Sequence, residues 1–325
     1  LYCEYIFLEE NLIMSTLKVG FIGLGNLGGT LCRSLVKTSG LPVTVYDLNR
    51  EAVQELESLG ATGANSPKEV GEASDIVISL VRDARQNEQV IFGKDGLWEG
   101  VKSGDITVIS STVGPLYIQE LYGKGKEKGV KVVDAAVTKI TSNKVGMLTN
   151  YEGWATLMVG GDDDDVKKCW PVFQSMAKYV IHLGGPGTGQ SAKLVNNEAA
   201  TVFSAIGRFC LIEYLNLGLK AGLDLQKMVE VWGAGVGAPR ILDTLGLKPW
   251  FTLNEITEIM RGRTGTPPVF YDVDGKTPLE DFMSMYKRLA REMAEKVEAK
   301  MPVSELVDEL RDNESTYYAF TTTIR

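Results

Sequence analysis

Gly23-Leu24-Gly25-Asn26-Leu27-Gly28 stands directly between a short apolar run, Leu17–Ile22, and a helical stretch, Asn26–Thr38, whose Leu27, Leu31 and Leu35 share one face. Three glycines in that context serve three purposes. The first permits a tight turn, the second lets a pyrophosphate approach the backbone, and the third lets helix and strand pack closely. The N–H groups at the helix start then face negative charge. The motif by itself is weak; the strand before it and the helix after it give it meaning. A glycine-rich strand–helix turn that holds no ligand is the alternative. Gly23, Gly25, Asn26, Leu27 and Gly28 are therefore candidate dinucleotide contacts.

The rest of the first half repeats the alternation. Val43–Tyr46, Asp75–Leu80, Ile106–Ile109 and Val130–Val133 read as buried strands, with helices such as Glu51–Leu59 between them. Leu157–Val159 and Tyr179–Leu183 read as the last strands, flanking a helix over Asp165–Ala177. Strands and helices in alternation imply parallel pairing through right-handed crossovers, hence an α/β doubly wound sheet of Rossmann type. The pattern changes after the glycine-rich stretch 184–189. Gln190–Lys220, Leu225–Trp232, Leu279–Lys300 and Ser304–Asn313 all read as helix. A dinucleotide-binding domain over 14–185 followed by an all-helical domain over 186–325, entered by one long helix, is the expected organisation. Residues 1–13 carry Glu but no Lys or Arg, and are expected to be a disordered or non-native extension rather than a signal peptide. With no such signal, a cytoplasmic location is expected.

Composition removes several chemistries. The 325 residues carry 34 Lys and Arg against 42 Asp and Glu, with no dense basic block, which argues against a nucleic-acid groove. No run approaches the ~20 apolar residues of a membrane span. Cys3, Cys32, Cys169 and Cys210 are widely spaced, neither a disulfide framework nor a zinc site. His182 is the only histidine, so an acid–base residue is expected to be Lys, Asp, Glu, Tyr or Cys. Asp162–Asp165 give no metal-ligand spacing and suit a helix start, so no metal is expected. His182 reads as a packing or hydrogen-bonding residue, and Cys169 and Cys210 as small buried thiols.

Asp47 ends the second strand about 20 residues beyond the glycines, where an acid can hold ribose hydroxyls. It would repel a 2′-phosphate, favouring NAD, with NADP the alternative because Arg50 is near. Asp47 could instead cap the following helix. A second constellation is Gly187-x-Gly189-x-x-x-Lys193-x-x-x-Asn197. Lys193 and Asn197 are four apart, on one helical face. Apolar neighbours would lower the pKa of Lys193 toward general acid–base use. The spacing equally allows an ordinary solvated lysine.

Taken together, FIGLGNLGGTLCRSL (21–35), YDLNR (46–50), SST (110–112), DAAVT (134–138), LMVGGD (157–162), HLGGPGTGQSAKLVNN (182–197) and FMSMYKRLA (282–290) resemble the β-hydroxyacid dehydrogenase family. That family includes relatives of 3-hydroxyisobutyrate dehydrogenase, tartronate semialdehyde reductase and 6-phosphogluconate dehydrogenase. The motifs occur in the family's order over most of the chain. The resemblance implies a Rossmann domain, a helical domain and an active site in the cleft between them. It implies that Lys193 is the acid/base on the substrate hydroxyl and that Asn197 helps hold the substrate. It further implies that Lys287 closes over the nicotinamide side, that Thr112 contacts the cofactor, and that the DAAVT stretch holds the substrate carboxylate.

The chain departs from the family where the substrate would sit. The usual D-A-P-V-S-G-G reads Asp134-Ala135-Ala136-Val137-Thr138-Lys139-Ile140. Thr138 keeps the hydroxyl, but Lys139 and Ile140 replace two glycines. Lys139 could supply a cation to an acidic substrate or could point to solvent. The stretch between Thr138 and Met158 is longer than usual and includes Tyr151 and Trp154, and the turn after the fourth strand, Leu80-Val81-Arg82-Asp83, lacks the family's proline. The expected function is an NAD(P)-dependent oxidoreductase interconverting a small 3-hydroxy acid and its semialdehyde or ketone. The expected partner is a small acidic substrate, with no nucleic acid and no membrane, in a homo-oligomer of two or four chains. The alternatives are a non-catalytic dinucleotide sensor and a reductase of an unusual aldehyde or imine; an imine reductase would be expected to lack a lysine at 193.

Overall fold

The computed structural model describes residues 17–139, 155–224, 227–228, 230–231, 270–271, 278–279 and 282–312. The expectations placed on residues 1–13, Ile140, Tyr151 and Trp154 lie outside these. Contacts divide the chain into two compact units, the first up to Leu194 and the second from Val195 to Arg325.

In the first unit, eight strands among the described residues form one sheet. They are β1 (Val19–Ile22), β2 (Val43–Tyr46), β3 (Thr62–Gly63), β4 (Ile76–Ser79), β5 (Ile106–Ile109), β6 (Lys131–Lys139), β7 (Ala155–Gly160) and β8 (Tyr179–His182). Their spatial order is β3-β2-β1-β4-β5-β6-β7-β8. The helices are α1 (Asn26–Thr38), α2 (Arg50–Ser58), α3 (Pro67–Glu72), α4 (Ala84–Phe92), α5 (Leu97–Gly100), α6 (Pro115–Lys128), α7 (Asp163–Met176) and the start of α8 (Thr188–Lys220). The first six strands pair in parallel. Winding reverses between β1 and β4, and at such a switch point the strand C-termini open a crevice for a ligand.

Side chains alternate across each strand, and the central strands β1, β4 and β5 are buried on both faces. Ile76 and Ile78 of β4 point into one apolar layer with Leu35 of α1, Leu56 of α2 and Phe173 of α7. Val77 points the other way, to Val70 of α3, Leu97 of α5 and Ile118 of α6. Each fully buried side chain of this size contributes about 1.5–3 kcal/mol, so the two layers hold the sheet rigid beneath its loops.

Two features differ from the reading of the sequence. β6 does not stop at Val133 but runs on to Lys139, so the whole DAAVT stretch is strand. And β7 pairs antiparallel to β6, with Lys139 opposite Ala155, while β8 runs parallel to β7. The sheet is thus six parallel strands followed by two reversed ones, β7 lying antiparallel beside β6 and β8 parallel to β7.

The second unit contains the rest of α8, α9 (Phe282–Lys296) and α10 (Pro302–Asp312). It is not helix throughout. Two short strands, β9 (Phe270–Tyr271) and β10 (Pro278–Leu279), pair antiparallel. No helix among the described residues is long and apolar enough to cross a membrane.

Candidate active site

The glycine turn is built as its spacing requires. Gly23 has φ +97°, and a Cβ there would lie 2.3 Å from the carbonyl oxygen of Leu80. A Cβ on Gly28 would lie 2.0 Å from the carbonyl oxygen of Gly23, so only glycine lets α1 pack this close to the turn. Gly25 is the opposite case: no described atom lies within 4 Å of where its Cβ would be. The space above Gly25 is open, and Gly25 and Asn26 are exposed.

Helix capping sharpens this picture. Asn49 caps α2, Ser66 caps α3 and Asp83 caps α4, each accepting from a backbone N–H. α1, like α5, α6 and α7, has no side-chain cap among the described residues; at α1 the uncapped start lies beside the open space over Gly25, where an outside acceptor can meet its first N–H groups. The carboxylate of Asp47 accepts from the N–H of Leu24 at 2.6 Å and from that of Asn49 at 2.7 Å. Asp47 is therefore not the cap of α2. It ties the end of β2 to the glycine turn and retains lone pairs for a further donor. Arg50 donates to the carbonyl of Ala64 at 3.2 Å. Open space over Gly25, an uncapped helix start and a carboxylate at the end of β2 fit the pyrophosphate and ribose of a dinucleotide.

Further along the same sheet edge, the loops after β4 and β5 are joined. Ser111 Oγ accepts from the N–H of Val81 at 2.8 Å. Thr112, beyond the end of β5, is buried. Gln190 holds both of its neighbours: its Nε2 donates to the carbonyl of Ser111 at 2.8 Å and its Oε1 accepts from the N–H of Val113 at 3.3 Å.

The third part joins β6 to the start of α8. Asp134 is fully buried, and its two carboxylate oxygens accept from the N–H of Gly187 at 2.7 Å and of Gln190 at 2.8 Å. Burial raises its pKa to about 7, against the pull of the backbone donors at the helix start, which favour the carboxylate. One turn further on, Lys193 is only 7% exposed, and its Nζ donates to the carbonyl of Val137 at 2.6 Å. Burial lowers the Lys193 pKa to about 8. Lys193 is thus not an ordinary solvated lysine, the bland alternative that its spacing allowed.

Of the remaining candidates, Thr138 is half-buried on β6 opposite Thr156, beside the carbonyl that Lys193 meets. Lys139 ends β6 in the ladder rather than in a glycine-like turn. In the second unit, Asn197 Oδ1 accepts from Asn196 Nδ2 at 3.1 Å. Lys287 of α9 pairs with Asp308 of α10 at 2.5 Å, and Arg291 bonds the same carboxylate. His182 hydrogen-bonds through Nε2 with the carbonyls of Gly161 and Gly184, each at 3.0 Å, a structural role at the end of β8. Cys169 is fully buried; the side chain of Cys210 lies outside the described residues.

Sequence reasoning passed over Asp134 and Gln190. Asp134 opens the DAAVT stretch but was given no role of its own there, and Gln190 lies unnamed between Gly189 and Lys193. The signal that could have found Gln190 is its spacing, three before Lys193 and seven before Asn197, which places all three on one helical face.

Residues 18–184 match the family model of the NAD binding domain of 6-phosphogluconate dehydrogenase. The mitochondrial 3-hydroxyisobutyrate dehydrogenase of Mus musculus is 33% identical over 235 residues, covering 72% of this chain and 67% of the relative. This chain belongs to the β-hydroxyacid dehydrogenase family. Another β-hydroxyacid dehydrogenase relative, the NAD-dependent L-serine dehydrogenase of Pseudomonas aeruginosa, is 29% identical over 248 residues, covering 76% of this chain and 79% of its own. The fold is shared with a solved Mycobacterium tuberculosis 3-hydroxyisobutyrate dehydrogenase holding L-serine, with a TM-score of 0.67, 22% identity and coverage of 95% and 99% of the two chains. The chain is a nicotinamide-dependent oxidoreductase of the β-hydroxyacid dehydrogenase type.

Proposed function

We propose that this enzyme interconverts a small 3-hydroxy acid, or a close analogue, and the corresponding semialdehyde or ketone, with Lys193 as general acid/base. The observation that carries the reading is the burial of Lys193 beside β6, which holds its pKa near 8, where both amine and ammonium are accessible. The nicotinamide, when bound, takes or returns the hydride at the carbinol carbon. In oxidation, neutral Lys193 Nζ accepts the hydroxyl proton; in reduction, the Lys193 ammonium donates one to the carbonyl oxygen. The carbonyl of Val137 holds Nζ in place in both directions.

Thr138 and Asn197, with Lys139, orient the acid group of the substrate. Asn197 lies one turn beyond Lys193 on α8, and Thr138 follows the residue whose carbonyl Lys193 meets. Thr112 and Lys287 serve the cofactor, and Asp47 favours NAD. A homo-oligomer of two or four chains is supported by Val195, Phe203 and Leu217, large apolar residues exposed on α8. The buried free thiols of Cys32 and Cys169 support a reducing compartment, which accords with a cytoplasmic setting.

The test is nicotinamide absorbance against a panel of 3-hydroxy acids, L-serine included, and their semialdehydes with NAD(H) and NADP(H). Lys193→Ala is run beside the wild type. Turnover that disappears in Lys193→Ala while NADH still binds supports the reading. Undiminished turnover in that variant removes it.

A further inference from the structure

We infer that Gln190 is a positioning residue that locks the Thr112 loop to the helix carrying Lys193. The inference rests on the reading above for what Thr112 and Lys193 do, and adds how they are held in register.

Three hydrogen bonds converge on this one residue. Its backbone N–H donates to Asp134 on β6 at 2.8 Å, which fixes the first turn of α8 to the sheet. Its side-chain Nε2 donates to the carbonyl of Ser111, and its Oε1 accepts from the N–H of Val113. The carboxamide therefore pairs with the backbone on both sides of Thr112, as a neighbouring strand would. Gln190 is fully buried, so water cannot replace either bond. Ser111 in turn binds the backbone of Val81, which extends the connection to the loop after β4. Lys193 lies one turn from Gln190 on the same helix and is itself pinned to Val137. The loops after β4 and β5 and the proton-transfer lysine thus form one hydrogen-bonded body, with Gln190 as its joint.

An ordinary core residue of this size needs no such polar pairing. Leucine or methionine would fill the volume, but would leave the Ser111 carbonyl and the Val113 N–H buried without partners. Such groups are costly to leave unmade, and the loop would shift to find water. A shift of the loop relative to α8 changes the distance over which hydride and proton must move together, which is felt in the rate of the chemical step.

The experiment compares Gln190→Met, which keeps length and loses both side-chain bonds, with Gln190→Glu, which keeps the acceptor for Val113 and loses the donor to Ser111. NADH affinity is measured by fluorescence titration. Turnover is measured with the carbinol C–H and C–D forms of the best substrate of the panel. Gln190→Met is expected to weaken NADH binding about tenfold and to lower kcat about 10–100-fold, the range for losing buried hydrogen bonds, with Gln190→Glu in between. The deuterium isotope effect on kcat is expected to rise, because misalignment slows hydride transfer itself. A core residue without a positioning role would lower the melting temperature and leave the isotope effect and NADH affinity of the folded protein unchanged. NADH affinity within twofold of wild type in folded Gln190→Met would overturn the inference; if that variant does not fold, Gln190→Glu decides by the same criterion. A wild type that binds NADH but turns over no member of the panel would remove the proposed reaction, and the affinity ratio would still decide the role of Gln190.

Discussion

Lys193 Nζ lies 2.6 Å from the carbonyl oxygen of Val137, a backbone acceptor rather than a carboxylate. Burial disfavours the charged form of this side chain, and its pKa falls to about 8. Val137 follows Asp134 on the same strand, and Asp134 fixes the start of the helix from which Lys193 projects. β6 therefore both places and tunes the proposed acid/base.

The pH dependence follows from that value. The rate of hydroxy-acid oxidation is expected to rise with pH and level off above about 8, as Lys193 loses its proton. Reduction of the semialdehyde should show the inverse profile, full below about 8 and falling above it. Initial rates in both directions from pH 6 to 10 check this. Lys193→Ala should lower turnover by about 10²–10⁴-fold, the contribution of a positioned general acid/base.

Lys193 also weakens the fold. Its pKa is lower folded than unfolded, so at pH 7 the native state holds an ammonium that burial disfavours by about 3 kcal/mol. Between about 8 and 10.5 the native state releases the proton while the unfolded chain keeps it, so stability rises with pH across that window. Lys193→Met is expected to be more stable than wild type at pH 7, and the gain should shrink as pH climbs to 10. Denaturant titrations at the two pH values measure it. A gain independent of pH would show that packing, not charge, sets the difference.

The first unit was legible because each of its signals is local. A strand, three glycines and a helix occupy one short stretch, and Asp47 follows at a spacing fixed by the length of α1 and β2. The apolar runs of β4 and β5 name themselves. The reversal at β7 was not legible, because nothing in Leu157–Val159 distinguishes a parallel strand from an antiparallel one. Nor was the end of β6: the apolar run Val130–Val133 is broken by Asp134, whose polar side chain hides the continuation of the strand to Lys139. Asp134 is paired by the start of α8, an element more than 50 residues away, and such a partner is invisible to periodicity. Gln190 escaped for the same reason, since its value lies in the backbone of Ser111 and Val113.

Two glycine substitutions should separate folding from binding. Gly28→Ala would place a methyl carbon against the carbonyl of Gly23, with no flexible side chain to yield, and is expected to cost about 2–4 kcal/mol of stability. Gly25→Ala meets open space and has ordinary helical-entry backbone angles, φ −61° and ψ −173°, so stability should change by less than about 1 kcal/mol. Its methyl would instead enter the open space proposed for the pyrophosphate, and NADH affinity should fall about tenfold or more. Thermal melts and fluorescence titrations of the two variants check both halves. Normal NADH affinity in Gly25→Ala would remove the glycine turn from the cofactor site.

Asp47 is expected to act on binding in two ways that the choice of cofactor can separate. Its carboxylate holds the N–H of Leu24, so removing it loosens the glycine turn, and this loss falls on NAD and NADP alike. In the proposed site its remaining lone pairs accept from ribose hydroxyls, a loss that falls on NAD, while removing its charge relieves the repulsion of a 2′-phosphate, a gain for NADP. Asp47→Ala should therefore weaken both cofactors, but NAD by about tenfold more than NADP, the worth of a charge-assisted hydrogen bond. Asp47→Asn can accept from Leu24 through its amide oxygen and should restore part of the common loss while leaving the preference for NAD reduced. Dissociation constants for NADH and NADPH with the three proteins give the comparison. Equal losses for the two cofactors in both variants would reduce Asp47 to a fastener of the turn and leave the choice of nucleotide to other residues.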